Sequence, residues 1–152
     1  WGASGHTSTL LGLSAGNAMV ASNSFVCYSW AEKPGYSKFG YYQGNGDDFG
    51  GPFQYTGFRP AFVIYKCASV NTRNWRLMDS TRDTENRTGK QLFPNLTNIE
   101  SDFTTGGVEY YSNGFKIRTN SAQYNSSGVT YIYLAFAEFP LGTPFGVSAN
   151  AR

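Results

Sequence analysis

The chain has 152 residues, a net charge of +2, 11 Tyr, 12 Phe and 18 Gly, and only 14% charged residues. That length can enclose one core, and low charge with many aromatics excludes a disordered chain. The basic residues are scattered, with Arg73, Arg76, Arg82 and Arg87 as the one loose cluster, which reads as a solvated loop; this excludes a nucleic-acid footprint, and the lack of any run of about 18 apolar residues excludes a membrane-spanning helix.

Alternation of period two and runs rich in aromatic and β-branched residues predict strands, in chain order, over Thr7–Leu13, Ser24–Ala31, Lys38–Gln43, Phe53–Thr56, Pro60–Cys67, Trp75–Asp79, Gln91–Phe93, Val108–Tyr111, Phe115–Thr119 and Val129–Glu138. Gly44-Asn-Gly46 marks a turn that Asp47-Asp48-Phe49-Gly50-Gly51-Pro52 lengthens into a loop. Asn113-Gly114 predicts a two-residue hairpin, and Asn125-Ser-Ser-Gly128 a further turn. The stretch from Ser80 to Asp102 is polar and predicts loops or a short edge strand. Ala61–Tyr65 and Tyr131–Ala137 are apolar at consecutive positions, the pattern of strands covered on both faces. About ten short strands with no convincing helix predict an all-β chain, a β-sandwich of jelly-roll or lectin-like type. With no dividing linker, residues 1–152 are expected to form a single domain.

Ser24-Phe-Val-Cys-Tyr-Ser-Trp-Ala-Glu-Lys-Pro34 aligns without gaps with Thr130-Tyr-Ile-Tyr-Leu-Ala-Phe-Ala-Glu-Phe-Pro140. Such self-similarity predicts that the two segments are equivalent strands of repeated units. Glu32 and Glu138 each stand two residues before a proline, where a carboxylate can accept hydrogen bonds from turn amides. The opening at Trp1 and the short lead into the first copy predict a C-terminal piece of a longer protein. Cys27 and Cys67 fall in apolar runs and are expected to be two unbridged, buried thiols.

Residues that could carry chemistry are few. His6 is the only histidine and has no nucleophile beside it, so no catalytic triad is expected. A glycosidase needs two carboxylates across a cleft; Asp47, Asp48, Asp79, Asp83, Glu85, Glu100, Asp102 and Glu109 are available, but spacing does not pair them. The clusters Asp79, Arg82, Asp83 and Asn86, and Asn45, Asp47 and Asp48, could bind a ligand, or serve turn chemistry alone. Neither has calcium-loop spacing, and no metal site or cofactor is expected. Tyr36 and Tyr55 lie in or near turns, where aromatic faces can stack on sugar rings. The three Asn-X-Ser/Thr matches at Asn86, Asn95 and Asn125 read as chance in an Asn- and Ser-rich chain.

The series Tyr28-Ser-Trp-Ala-Glu-Lys-Pro-Gly-Tyr-Ser-Lys-Phe-Gly40, Gly51-Pro-Phe-Gln-Tyr-Thr-Gly-Phe-Arg-Pro-Ala-Phe-Val63, Trp75 with Asp79 and Arg82, Ser112-Asn-Gly-Phe-Lys-Ile-Arg118 and Tyr131-Ile-Tyr-Leu-Ala-Phe-Ala-Glu138 resembles a C-terminal domain of bacteriophage tail-fibre-like and other virion structural proteins, common in marine phages. The resemblance implies a virion location on the particle surface and other virion subunits as partners, and offers no catalytic residues. The expectation is a tail-fibre domain that attaches to a host-surface glycan, as a homotrimer whose interface draws on Tyr131, Tyr133 or Phe136. The alternatives are a capsid or fibre decoration protein bound to other viral subunits and, third, a small polysaccharide depolymerase; an enzyme is not expected.

Overall fold

The computed structural model describes residues 27–103 and 106–139. Contacts divide the chain into two compact units, Trp1–Trp30 and Ala31–Arg152. Of the first, the described residues are Cys27–Trp30, which pair with no strand, and the rings of Tyr28 and Trp30 stack at 6.1 Å. The strand expected over Thr7–Leu13 lies outside the described residues.

In the second unit the described residues form strands and no helix. The strands are β1 (Ser37–Gln43), β2 (Phe53–Tyr55), β3 (Pro60–Cys67), β4 (Arg76–Asp79), β5 (Lys90–Leu92), β6 (Ser101–Asp102), β7 (Val108–Tyr111), β8 (Gly114–Ile117) and β9 (Thr130–Ala137). They make a six-stranded sheet, ordered β1-β9-β3-β4-β5-β6, and a three-stranded sheet, ordered β2-β8-β7. All pairings are antiparallel. The two-residue β6 is the edge strand foreshadowed in the polar stretch before Asp102.

The sheets pack into a β-sandwich because one face of each is apolar. Along β9, Tyr131, Tyr133, Ala135 and Ala137 are buried and alternate with half-buried Ile132, Leu134 and Phe136. Val63, Tyr65 and Cys67 of β3 and Met78 of β4 join the inner set, opposite Val108, Tyr110, Phe115 and Ile117 of the small sheet. Phe115 meets Tyr65 and Tyr133 edge-on, at 5.8 and 5.0 Å between ring centres, a favoured aromatic geometry. The core holds many tyrosines, and most of their hydroxyls are paired inside it, while the Tyr65 hydroxyl is buried without a hydrogen-bond partner. Tyr42 donates to the Tyr124 carbonyl and Tyr110 to the Met78 carbonyl, both at 2.9 Å, and the Tyr124 hydroxyl meets Gln91 Oε1.

The other face of the large sheet is also apolar. Phe39, Leu134, Ile64, Leu77 and Leu92 stand opposite one another in register across β1, β9, β3, β4 and β5. Phe62 and Phe136 stack beside that row at 4.8 Å. Both apolar faces are why β3 and β9 carry continuous apolar runs.

Several local expectations need correction. Residues 27–31 of the first copy of the repeat form no ladder, whereas the second copy supplies the interior strand β9. The likeness of side chains does not supply ladder partners; β9 has β1 and β3 on its two edges. Cys27 is exposed; Cys67 is buried, and both thiols are free. The hairpin between β7 and β8 turns on Ser112 and Asn113, because Gly114 already pairs with Tyr111. Gly114 is required by packing: a Cβ there would lie 2.2 Å from the Gln54 carbonyl oxygen of β2. Glu32 accepts the Phe39 amide at 3.3 Å and pairs with Lys38 at 2.6 Å, while Glu138 pairs with Arg59 at 2.9 Å. Tyr131 and Tyr133 point into the core; Phe136 lies on the outer face.

Candidate functional site

The polar segment between β4 and β5 is the most elaborately tied loop of the described chain. Asp79 ends β4 by accepting the Thr81 and Arg82 amides on Oδ1, at 3.0 and 2.8 Å, an Asx turn. Its other oxygen takes Arg82 Nε at 2.5 Å, and Arg82 Nη1 reaches Glu100. Burial works against the Arg82 charge, but its hydrogen bonds to Asp79 and Glu100 prevail and raise its pKa. Arg82 Nη2 is buried without a hydrogen-bond partner.

Asp83 closes the next stretch. Its Oδ2 accepts the Gly89 amide at 2.8 Å and the Lys90 amide at 3.1 Å. Burial pushes its carboxyl pKa up, and the amides of Gly89, Lys90 and Glu85 more than reverse this, so it stays lowered. Asn86 sits beside β7, the edge of the small sheet, and bonds both backbone groups of Tyr110, at 3.0 and 2.8 Å. Thr88 bridges to Val108 through two backbone hydrogen bonds, 2.9 and 3.1 Å. The loop thus fastens the large sheet to the small one. Gly107 permits the approach, since a Cβ there would stand 2.0 Å from the Thr88 carbonyl oxygen.

Between this loop and the segment after β6 lies a cleft of about 360 Å³, lined by Arg82, Asp83, Thr84, Glu85, Arg87, Gly89, Lys90, Asp102, Phe103 and Gly106. Three cationic and three carboxylate residues line it, with hydroxyl and amide groups among them, and Phe103 contributes to the wall while its ring packs toward Tyr124 at 6.0 Å. Such a lining offers donors and acceptors in fixed positions to a polyhydroxylated ligand, and the tied backbone holds them there without prior ordering. An acid for glycosidic cleavage needs a carboxyl with a raised pKa; Asp83 is shifted the opposite way.

The other nominated residues are elsewhere. Asp47 Oδ1 accepts the Phe49 and Gly50 amides, at 2.8 and 2.7 Å, and the Gly50 amide above all holds its carboxyl pKa down. Asp48 accepts the Asn120 amide at 3.0 Å. Buried Asn125 organises that loop, accepting the Asn45 amide at 2.8 Å and donating to Asn45 Oδ1 and the Asp47 carbonyl. Tyr36 stands edge-on to Phe136 at 6.3 Å. Tyr55 is 65% exposed and lines a second hollow of about 310 Å³ with Glu32, Lys38 and Thr56. Among the described residues no group of three or more His, Cys, Asp or Glu side chains could hold a metal ion.

The structure therefore unites Arg82 and Asp83 at one cleft, sets Asp79 behind Arg82 as its ion-pair partner, turns Asn86 to the backbone of β7, and leaves Asp47, Asp48, Tyr36 and Tyr55 apart from it. Sequence reasoning named Glu85 and Asp102 only as unpaired carboxylates, and missed Arg87, Lys90 and Phe103 as members. The density of charge from Arg82 to Lys90, two acidic residues followed by two basic ones after Arg82, was the available sign.

Searches of curated proteins and of solved structures return no match to this chain. The model of one protein family matches residues 1–140, and the chain belongs to that family, described as a domain of unknown function, DUF7483.

Proposed function

We propose that this domain is the receptor-contacting part of a bacteriophage virion protein, and that the cleft between the Arg82–Lys90 loop and Phe103 takes a host-surface glycan. The observation that carries the reading is that cleft: a mixed-charge hollow on a tied backbone, with Phe103 in its lining. The virion setting is supported by the resemblance of the motif series to tail-fibre-like proteins. Binding at one such shallow site is weak, and several copies on one particle gain avidity without new contacts. The competing reading, a decoration protein held to other virion subunits, draws support from the apolar outer face of the large sheet.

The test displays the chain multivalently on an array of bacterial surface oligosaccharides, beside its Lys90→Ala and Glu85→Ala variants. Both side chains line the cleft; Lys90 Nζ bonds only the Arg82 carbonyl, at 3.3 Å, and Glu85 is exposed, so the fold should survive either change. Binding to a subset of glycans that both variants lose is the expected result. No glycan bound by the folded wild-type chain, or binding indifferent to both variants, overturns the reading.

A further inference from the structure

We propose that the outer face of the six-stranded sheet seats the same face of a second copy of this chain. The proposal is independent of the glycan reading. Its basis is an unbroken apolar row, one residue from each of five adjacent strands, with Leu134, Ile64 and Leu77 at its centre. Phe136 and Phe62 thicken the row on one side. A sheet facing water on that side would instead alternate apolar with polar residues.

Three observations identify the occupant. The first is size. Five strands at about 4.8 Å spacing and about five residues at 3.3 Å each give a plan area of roughly 400 Å², before side-chain relief is counted. Two such faces together approach the roughly 1,000 Å² that a specific association needs. The second is charge. Asp79 stands beside Phe62 at the margin and is already paired with Arg82, while Lys66 at the other end donates to the Arg73 carbonyl at 2.5 Å. The centre carries no charge; Lys66, Asp79, Lys90 and Asp102 stand only at its margins. The face thus fits an uncharged apolar surface with a polar rim, the anatomy of a protein interface. The third is shape. A sheet face packs against another twisted sheet about 10 Å away, with strands nearly aligned. A second copy related by a two-fold axis supplies such a sheet, since an isologous contact uses one patch twice. An area somewhat below that size fits a weak association.

Sedimentation equilibrium of the full chain, from low micromolar to several hundred micromolar, tests this. The expected result is a concentration-dependent approach to twice the monomer mass. Ile64→Thr combined with Leu134→Thr keeps β-branched residues in the strands and should weaken association about tenfold or more. Should that variant lose its far-ultraviolet dichroism, Leu92→Lys replaces it, placing a charge at the exposed end of the row. A monomer throughout the range, the outcome if another stretch of the chain occupies the face, overturns the proposal. So does association that the folded variants leave unchanged.

Discussion

Raising the pH should unfold this domain abruptly, because its core is built on tyrosine. Tyr42, Tyr65, Tyr110 and Tyr124 are all nearly inaccessible. Burial is the leading cause that pushes each of their hydroxyl pKa values upward. The folded state holds these phenols protonated, whereas in the unfolded chain they ionise near pH 10. Their contribution is therefore fully present below about pH 10 and declines above it, since the unfolded state then binds fewer protons than the folded one. Each phenol costs about 1.4 kcal/mol per pH unit in that range, so four together cost roughly 5–6 kcal/mol per unit. Domain stabilities are about 5–15 kcal/mol. Unfolding should thus be complete within roughly one to three pH units above pH 10, and cooperative. Tyrosinate absorbance and far-ultraviolet dichroism, followed together during alkaline titration, check this. The buried set should ionise in one step as the dichroism collapses. A single smooth titration of all tyrosines with dichroism unchanged would refute the reasoning.

Further outcomes follow from individual contacts. Asn125→Ala removes three side-chain hydrogen bonds and strands the Asn45 amide; thermal melts should show a loss of about 3 kcal/mol, and a loss under about 1 kcal/mol contradicts its organising role. Gly114→Ala drives a methyl into the Gln54 carbonyl, so chemical denaturation should register about 1–3 kcal/mol of destabilisation. In the folded protein a thiol reagent should label Cys27 quickly and Cys67 only on unfolding; equal rates would contradict the burial of Cys67. Asp83 has a lowered carboxyl pKa, so its stabilising contribution is present above the ordinary aspartate value and is lost as pH falls through the folded value. Acid titration of Asp83→Asn should accordingly show a shallower decline in stability than wild type.

Much of the sandwich was legible because strand periodicity is a local property. The run from Thr130 to Ala137 is apolar and rich in aromatic residues, and the structure makes it an interior strand of the large sheet whose burial alternates strictly. Residues 27–31 have similar side chains and no ladder. Strand formation there depends on a neighbouring backbone that no side-chain pattern encodes. Gly114 illustrates the same limit: its sequence position suggests a turn, while its function is to admit the β2 backbone. At the cleft, Arg82 and Asp83 could be nominated from a charged cluster. Phe103 and Lys90 could not, because pairing of Lys90 with Asp102 across β5 and β6 is what brings the loop and the segment after β6 together.

The central claim is that a surface glycan sits between the Arg82–Lys90 loop and Phe103. The most direct measurement is backbone-amide NMR of the isotope-labelled chain titrated with an oligosaccharide that it binds on the array. The account predicts saturable shifts concentrated at Glu85, Gly89, Lys90 and Phe103, with Tyr55 and Gly57 unmoved. Shifts centred on the Tyr55 hollow, or spread without a focus, would contradict it.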